Sequence, residues 1–158
     1  MAAVDIQIEG DVRDIVDLNK VTTTKINQFA NEISDELLFL IKQKIQTSDA
    51  IATKQLFRSI TSQLVSQFNT FIDIQAGSSL PYAEFAEEGR GPGTAPPVDV
   101  IAQWMIDKGI QSPYGLESGA YLIAKSIGRK GSIGKHFFRD ALDEVSDEIP
   151  SIAKRIFG

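Results

Sequence analysis

Apolar residues recur at steps of three and four from Ile26 to Ile45: Ile26, Phe29, Ala30, Ile33, Leu37, Leu40, Ile41 and Ile45. This period predicts an amphipathic helix of about five turns. Thr22, Thr23 or Thr24 can cap its start, and Lys42 and Lys44 oppose the negative pole near its end. Leu38 and Phe39 widen the apolar arc, so the helix needs a sheet or another subunit beside it. Ahead of it, Val4, Ile6 and Ile8 alternate with Asp5, Gln7 and Glu9, the pattern of a short strand with one buried face. Residues 11–20 fit either a linker or a short helix.

Beyond Ser48-Asp49-Ala50 the period changes to two. Leu56, Arg58, Ile60, Ser62 and Leu64 alternate against Phe57, Ser59, Thr61 and Gln63; Phe68, Thr70, Ile72 and Ile74 alternate against Asn69, Phe71, Asp73 and Gln75. Two such runs predict an antiparallel hairpin turning near Ser66. Phe57 and Phe71 oppose the Leu56, Ile60, Phe68 and Ile72 set, so the hairpin is expected to need cover on both faces.

The stretch from Tyr82 to Trp104 joins the two halves. Its half-apolar start (Tyr82, Ala83, Phe85, Ala86) ends in acidic residues and meets Gly89-Arg90-Gly91-Pro92-Gly93 and Pro96-Pro97. Glycines at this density permit positive φ and prolines remove donors, which predicts an exposed bend. A helix restarts at Val98, with Ile101, Ala102, Trp104, Met105 and Ile106 as its body and Gly109 as its C-terminal cap. Trp104 is expected in the core between this helix and the hairpin. Ala120, Ile123, Ala124 and Ile127 predict another helix, stopped at Gly128. A flexible basic loop follows, carrying Arg129, Lys130 and Lys135, with Arg139 just beyond. Phe137, Phe138, Ala141, Leu142, Val145 and Ile149 predict a last amphipathic helix, interrupted at Pro150, with a further turn or two through Phe157.

Composition narrows the function classes. At 158 residues, with 42% hydrophobic and 23% charged, the chain suits one soluble domain. It holds no cysteine, which excludes disulfides, a thiol nucleophile and thiolate metal sites. No apolar run approaches the ~20 residues that span a bilayer, and the N-terminus has no signal-peptide pattern, so no membrane partner is expected. A net charge of −5 argues against phosphate-backbone binding as the main activity.

Catalytic signals are thin. Gly128 to Gly134-Lys135 is one residue too long for a P-loop, and His136 stands where Ser or Thr is required. His136 is the only histidine, and one histidine with scattered carboxylates is a weak metal signal. Neither Ser59 nor Ser62 lies in a nucleophile-elbow context. Glu84, Glu87 and Glu88 are expected to form a solvated edge. No cofactor or metal is expected, and enzyme activity is the minority reading; it would use Glu84, Glu87 or Asp107 with a metal. A nucleic-acid-binding module using the basic segment 128–139 is a further alternative.

The order of motifs resembles the head–tail joining, or tail-completion, proteins of long-tailed bacteriophages, neck proteins also grouped with tail terminators. After a long N-terminal helix that family has a Thr-Gly-x-Leu-x-x-Ser-Ile segment opening a strand. Here it reads Thr53-Lys54-Gln55-Leu56-Phe57-Arg58-Ser59-Ile60, with Lys54 in place of the glycine. A Tyr-Ala-x-x-x-Glu-x-Gly-x-Gly motif corresponds to Tyr82-Ala83-Glu84-Phe85-Ala86-Glu87-Glu88-Gly89-Arg90-Gly91, with the Phe/Ala and Glu positions shifted or substituted. Pro96-Pro97, Trp104 and Phe137-Phe138-Arg139-Asp140-Ala141 follow in the family's order, so the likeness covers roughly residues 25–145. The resemblance implies a non-enzymatic homo-oligomer, a hexamer or 12-mer ring in the virion at the head–tail junction, assembled in the host cytoplasm. Its partners would be portal-side head-completion proteins and the tail tube protein, with genomic DNA passing through an acidic lumen. Tyr82, Glu87, Arg90, Arg129, Lys130, Lys135 and Arg139 are the candidate contact residues. The expected fold is α+β: a small antiparallel sheet against the long helix, shorter C-terminal helices, residues 1–20 as an N-terminal strand or arm, and 21–158 as one domain.

Overall fold

The computed structural model describes residues 4–11, 21–48, 54–68 and 71–158. Residues 12–20, where a linker or short helix was open, lie outside them. The fold is α+β and mostly helical. Its backbone is helix α1 (Thr23–Thr47), which buries the eight residues that the three-and-four spacing picks out. The Thr22 hydroxyl accepts from the Lys25 amide and caps the start. Helix α6 (Phe137–Phe157) lies along α1, and the Phe157 ring meets Phe29 edge-on at 5.4 Å. Lys44 bridges the pair to Glu144 at 2.6 Å. Pro150 does not interrupt α6, contrary to expectation. Beyond it Ile152, Ala153, Ile156 and Phe157 are buried against the main core, and that burial outweighs the loss of one backbone hydrogen bond.

Under α1 lies a three-stranded antiparallel sheet in the order β1 (Val4–Asp11), β3 (Phe71–Ser78), β2 (Thr61–Phe68). The N-terminal strand therefore belongs to the same sheet as the hairpin, with Ile8 opposite Ile74. Ile72, Ile74 and Ala76 on the central strand turn into the core. The hairpin forms, but Phe68 pairs with Phe71, so its turn is later than Ser66. Near Ser66 there is instead a register shift between Leu64 and Ser66, where one residue is left out of the pairing.

The expected first half of that hairpin is wrong for 56–59: Lys54–Ser59 is a short helix, α2. Leu56 and Ile60 are both buried, and a spacing of four suits one helical turn as well as one strand face. One local bond favours the turn, Ser59 Oγ donating to the Leu56 carbonyl, and two bonds from outside the segment hold it: the Lys54 amide donates to Asp107, and Ser59 Oγ pairs with Ser78 Oγ. With Phe57 on a helix, the second sheet face loses that side chain; Gln63, Asp73 and Gln75 lie on this face, and Asp73 is buried.

A smaller cluster sits apart. Helices α4 (Val98–Lys108) and α5 (Leu116–Lys130) pack Ile101, Met105, Ala120 and Ala124 between them. Trp104 is half-buried against this cluster rather than wedged against the hairpin. Gly109 caps α4 in the left-handed conformation, as expected. Gly128 does not stop α5. It lies within the helix because Ala95 crosses there, with atoms about 3.0 Å from where a Cβ would stand, and its carbonyl accepts from the Gly93 amide.

Candidate functional site

The Tyr-Ala…Glu-x-Gly segment and the Phe-Phe-Arg-Asp-Ala segment meet at one junction. Helix α3 (Ala83–Glu88) runs into strand β4 (Gly89–Arg90), which pairs antiparallel with β5 (Ser132–Ile133) just before α6. The Lys135 and His136 amides donate to the Ala86 and Glu87 carbonyls. Closeness here needs glycine. A Cβ on Gly134 would stand 2.3 Å from the Glu87 carbonyl oxygen, and Gly89 holds φ of 77° with its own Cβ position 2.4 Å from Gly134 N. The segment 128–135 is thus not a flexible loop. Arg129 and Lys130 form the exposed last turn of α5, and the remainder is paired to the bend.

Glu87 is at the centre of this junction. Expected at a solvated edge, it is only 3% exposed. Its two carboxylate oxygens accept from the Phe138 amide at 2.9 Å and the Arg139 amide at 3.0 Å, the first donors of α6. His136 precedes that helix in the left-handed conformation with no side-chain cap of its own, so Glu87 supplies the cap from 51 residues away. Burial pushes the Glu87 carboxyl above the usual carboxylate range, while the two amides pull it back down.

Glu87, Glu88 and His136 place three possible metal-ligand atoms within 4.8 Å of one another. Glu88 Oε2 lies 3.9 Å from His136 Nδ1. The arrangement reads better as a helix cap than as a cation site. Both Glu87 oxygens already accept amides, and the cluster lies at the positive pole of α6, which opposes a cation. Glu84 and Asp107 do not join the cluster. Asp107 accepts instead from Lys54 N and Gln103 Nε2. The carboxylates of the hydrolase alternative are therefore not gathered into one site.

The other expected contact residues distribute over the surface. Tyr82 and Arg90 line a groove of about 520 Å³ between the junction and α4, along with Phe85, Pro97, Ile133 and Lys135. The Arg90 guanidinium lies 4.3 Å from the Phe85 ring centroid. Ile133 is 88% exposed at the rim. Arg139 is exposed and pairs with its neighbour Asp140 at 3.2 Å. The groove brings Tyr82, Arg90 and Lys135 together; Arg129 instead lines a separate cleft between α5 and the bend.

Two surfaces escaped the sequence reading. The outer side of α4 and α5 leaves Ile106, Tyr114, Leu116, Tyr121 and Leu122 in water, with Tyr114 72% and Tyr121 53% exposed. These residues line an open groove of about 930 Å³. The available signal was the Tyr121-Leu122 pair beside the small-residue stripe of Ala120 and Ala124. Second, Glu32, Asp35, Glu36 and Glu148 surround Phe39 in a groove of about 620 Å³ between α1 and α6. No family model matches the chain, and neither curated proteins nor solved structures provide a match.

Proposed function

We propose that this chain is a structural virion protein of a long-tailed phage, forming a ring at the head–tail junction. It joins the capsid connector to the tail and lets genomic DNA pass through its lumen. The observation that carries this reading is the apolar outer face of α4 and α5. Five large apolar side chains there face water around one groove, and a contiguous patch of this kind marks a surface made to be covered. The order of motifs adds to it, since two of the segments behind the family resemblance, Tyr82–Gly91 and Phe137–Ala141, build a junction that holds the fold rather than a reaction centre. Disrupting the coding sequence in the genome that carries it tests the reading. Filled heads and separate, unjoined tails are the expected products; complete infectious particles lacking the chain would overturn it.

A further inference from the structure

The exposed α5 face carries cations as well as aromatic surface. Tyr121, Lys125 and Arg129 follow one another at steps of four, and the Lys125 ammonium lies 5.8 Å from the Tyr121 ring centroid. Neither Lys125 nor Arg129 has an ion-pair partner among the described residues. The groove between α1 and α6 has the opposite character. Four carboxylates surround Phe39, which is 57% exposed, and the cation lining the groove, Arg155, bonds to Glu32. Glu36 is half-buried there, and burial together with the charges of Glu148 and Glu144 pushes its carboxyl above the usual range. One surface has unpaired cations around an aromatic ring. The other has crowded carboxylates around one.

We propose that these two surfaces are partners across copies: the Tyr121–Lys125–Arg129 face of one chain seats in the Phe39 groove of the next. A chain cannot satisfy both by itself, because α5 packs on α4 and makes no extensive contact with α1 or α6. The two surfaces differ, so the contact is heterologous and propagates head to tail, closing into a ring where the rotation permits. The inference rests on the ring reading above and names the surfaces that build it. A second copy fits the α5 face better than DNA does. Lys125 and Arg129 line a cleft with uncharged Ala95, Val98 and Tyr121, and the groove that adjoins it through Val98 and Tyr121 carries Asp99 and Glu117, where phosphate binding favours an unbroken basic stripe.

Charge reversal on each side tests the contact, read by sedimentation and native mass spectrometry with circular dichroism as the check on folding. Wild type is expected to form a closed oligomer that dissociates as salt is raised. Lys125→Glu with Arg129→Glu is expected to be a folded monomer, and so is Asp35→Lys with Glu148→Lys. Mixing the two variants in equal amounts should restore the oligomer, because each then presents the face that the other lacks. A wild type that stays monomeric at every concentration, a reversed variant that assembles like wild type, or folded variants whose mixture stays monomeric would each overturn the contact. So would salt-sensitive DNA binding that Lys125→Glu with Arg129→Glu abolishes while assembly is unchanged. The two proposals separate cleanly. Monomeric protein, together with unjoined heads and tails when the gene is disrupted, refutes this contact and leaves the junction role. An oligomer whose loss leaves particles intact does the reverse.

Discussion

Glu87 shows how one carboxylate binds together segments distant in the chain. Replacing it with alanine orphans the Phe138 and Arg139 amides, of which the first is buried, and should cost about 1–3 kcal/mol of stability. Denaturant midpoints of wild type and Glu87→Ala check this. The pH dependence has a definite sign. Burial raises the folded-state carboxyl above its ordinary value of 4.5, so the folded chain holds that proton more tightly than the unfolded chain. The stabilisation is complete below the ordinary value and is lost as pH climbs through the folded-state one. Glu87→Gln does not titrate there. The stability of wild type relative to Glu87→Gln should therefore improve as pH is lowered from neutrality towards 4.5, read by urea denaturation at a series of pH values. A gap that is flat or that narrows on acidification contradicts the burial account. Nothing local in Ala86-Glu87-Glu88-Gly89 marks the middle carboxylate as buried. Its partners lie 51 and 52 residues away, and a charge run beside a glycine bend reads as solvated until the fold closes.

Helix α6 is a contest between local propensity and packing. Pro150 lies inside it, exposed, where its missing amide leaves the Ser146 carbonyl without the bond that a regular helix would give. Four buried residues downstream hold the helix together across that gap. Pro150→Ala restores the donor and should raise stability by about 1–3 kcal/mol, seen as a higher denaturant midpoint at unchanged slope. Lower stability in that variant would show that the proline's restriction of the unfolded chain is the larger effect. The same contest explains which elements were legible. For α1, eight apolar positions over 25 residues left one answer, and the structure buries all eight. Helix α4 was equally clear, with Pro97 before it and Gly109 behind it. Over Lys54–Ser59 six residues hold too few periods to separate a strand from a turn of helix, and the deciding bonds come from Ser78 and Asp107, outside the segment. Gly128 misled for a related reason: glycine there admits the crossing of Ala95 and ends nothing.

The whole molecule has two cores of unequal size. The main one joins α1, α6 and the sheet through more than twenty buried side chains, whereas the α4–α5 pair closes on four. Among the described residues, three hydrogen bonds tie the pair to the rest. Lys54 N donates to Asp107, Lys108 Nζ donates to the Ser48 carbonyl, and Gly93 N donates to the Gly128 carbonyl. A unit with so little buried apolar surface should open locally at lower free energy than the global transition. In the free monomeric chain, amide hydrogens of α4 and α5 should therefore exchange before those of α1 and α6, by at least tenfold, about 1.4 kcal/mol. In the assembled oligomer the α5 amides should slow, because its outer face is then covered and opening it breaks the contact between copies. The charge-reversed variants supply the monomer for this comparison without denaturant. Equal protection of both cores in the monomer would mean that the ties between them couple them into one cooperative unit. Protection of α5 that does not change on assembly would place the subunit contact elsewhere on the surface, with the groove beside Tyr82 and Ile133 the next apolar face to examine.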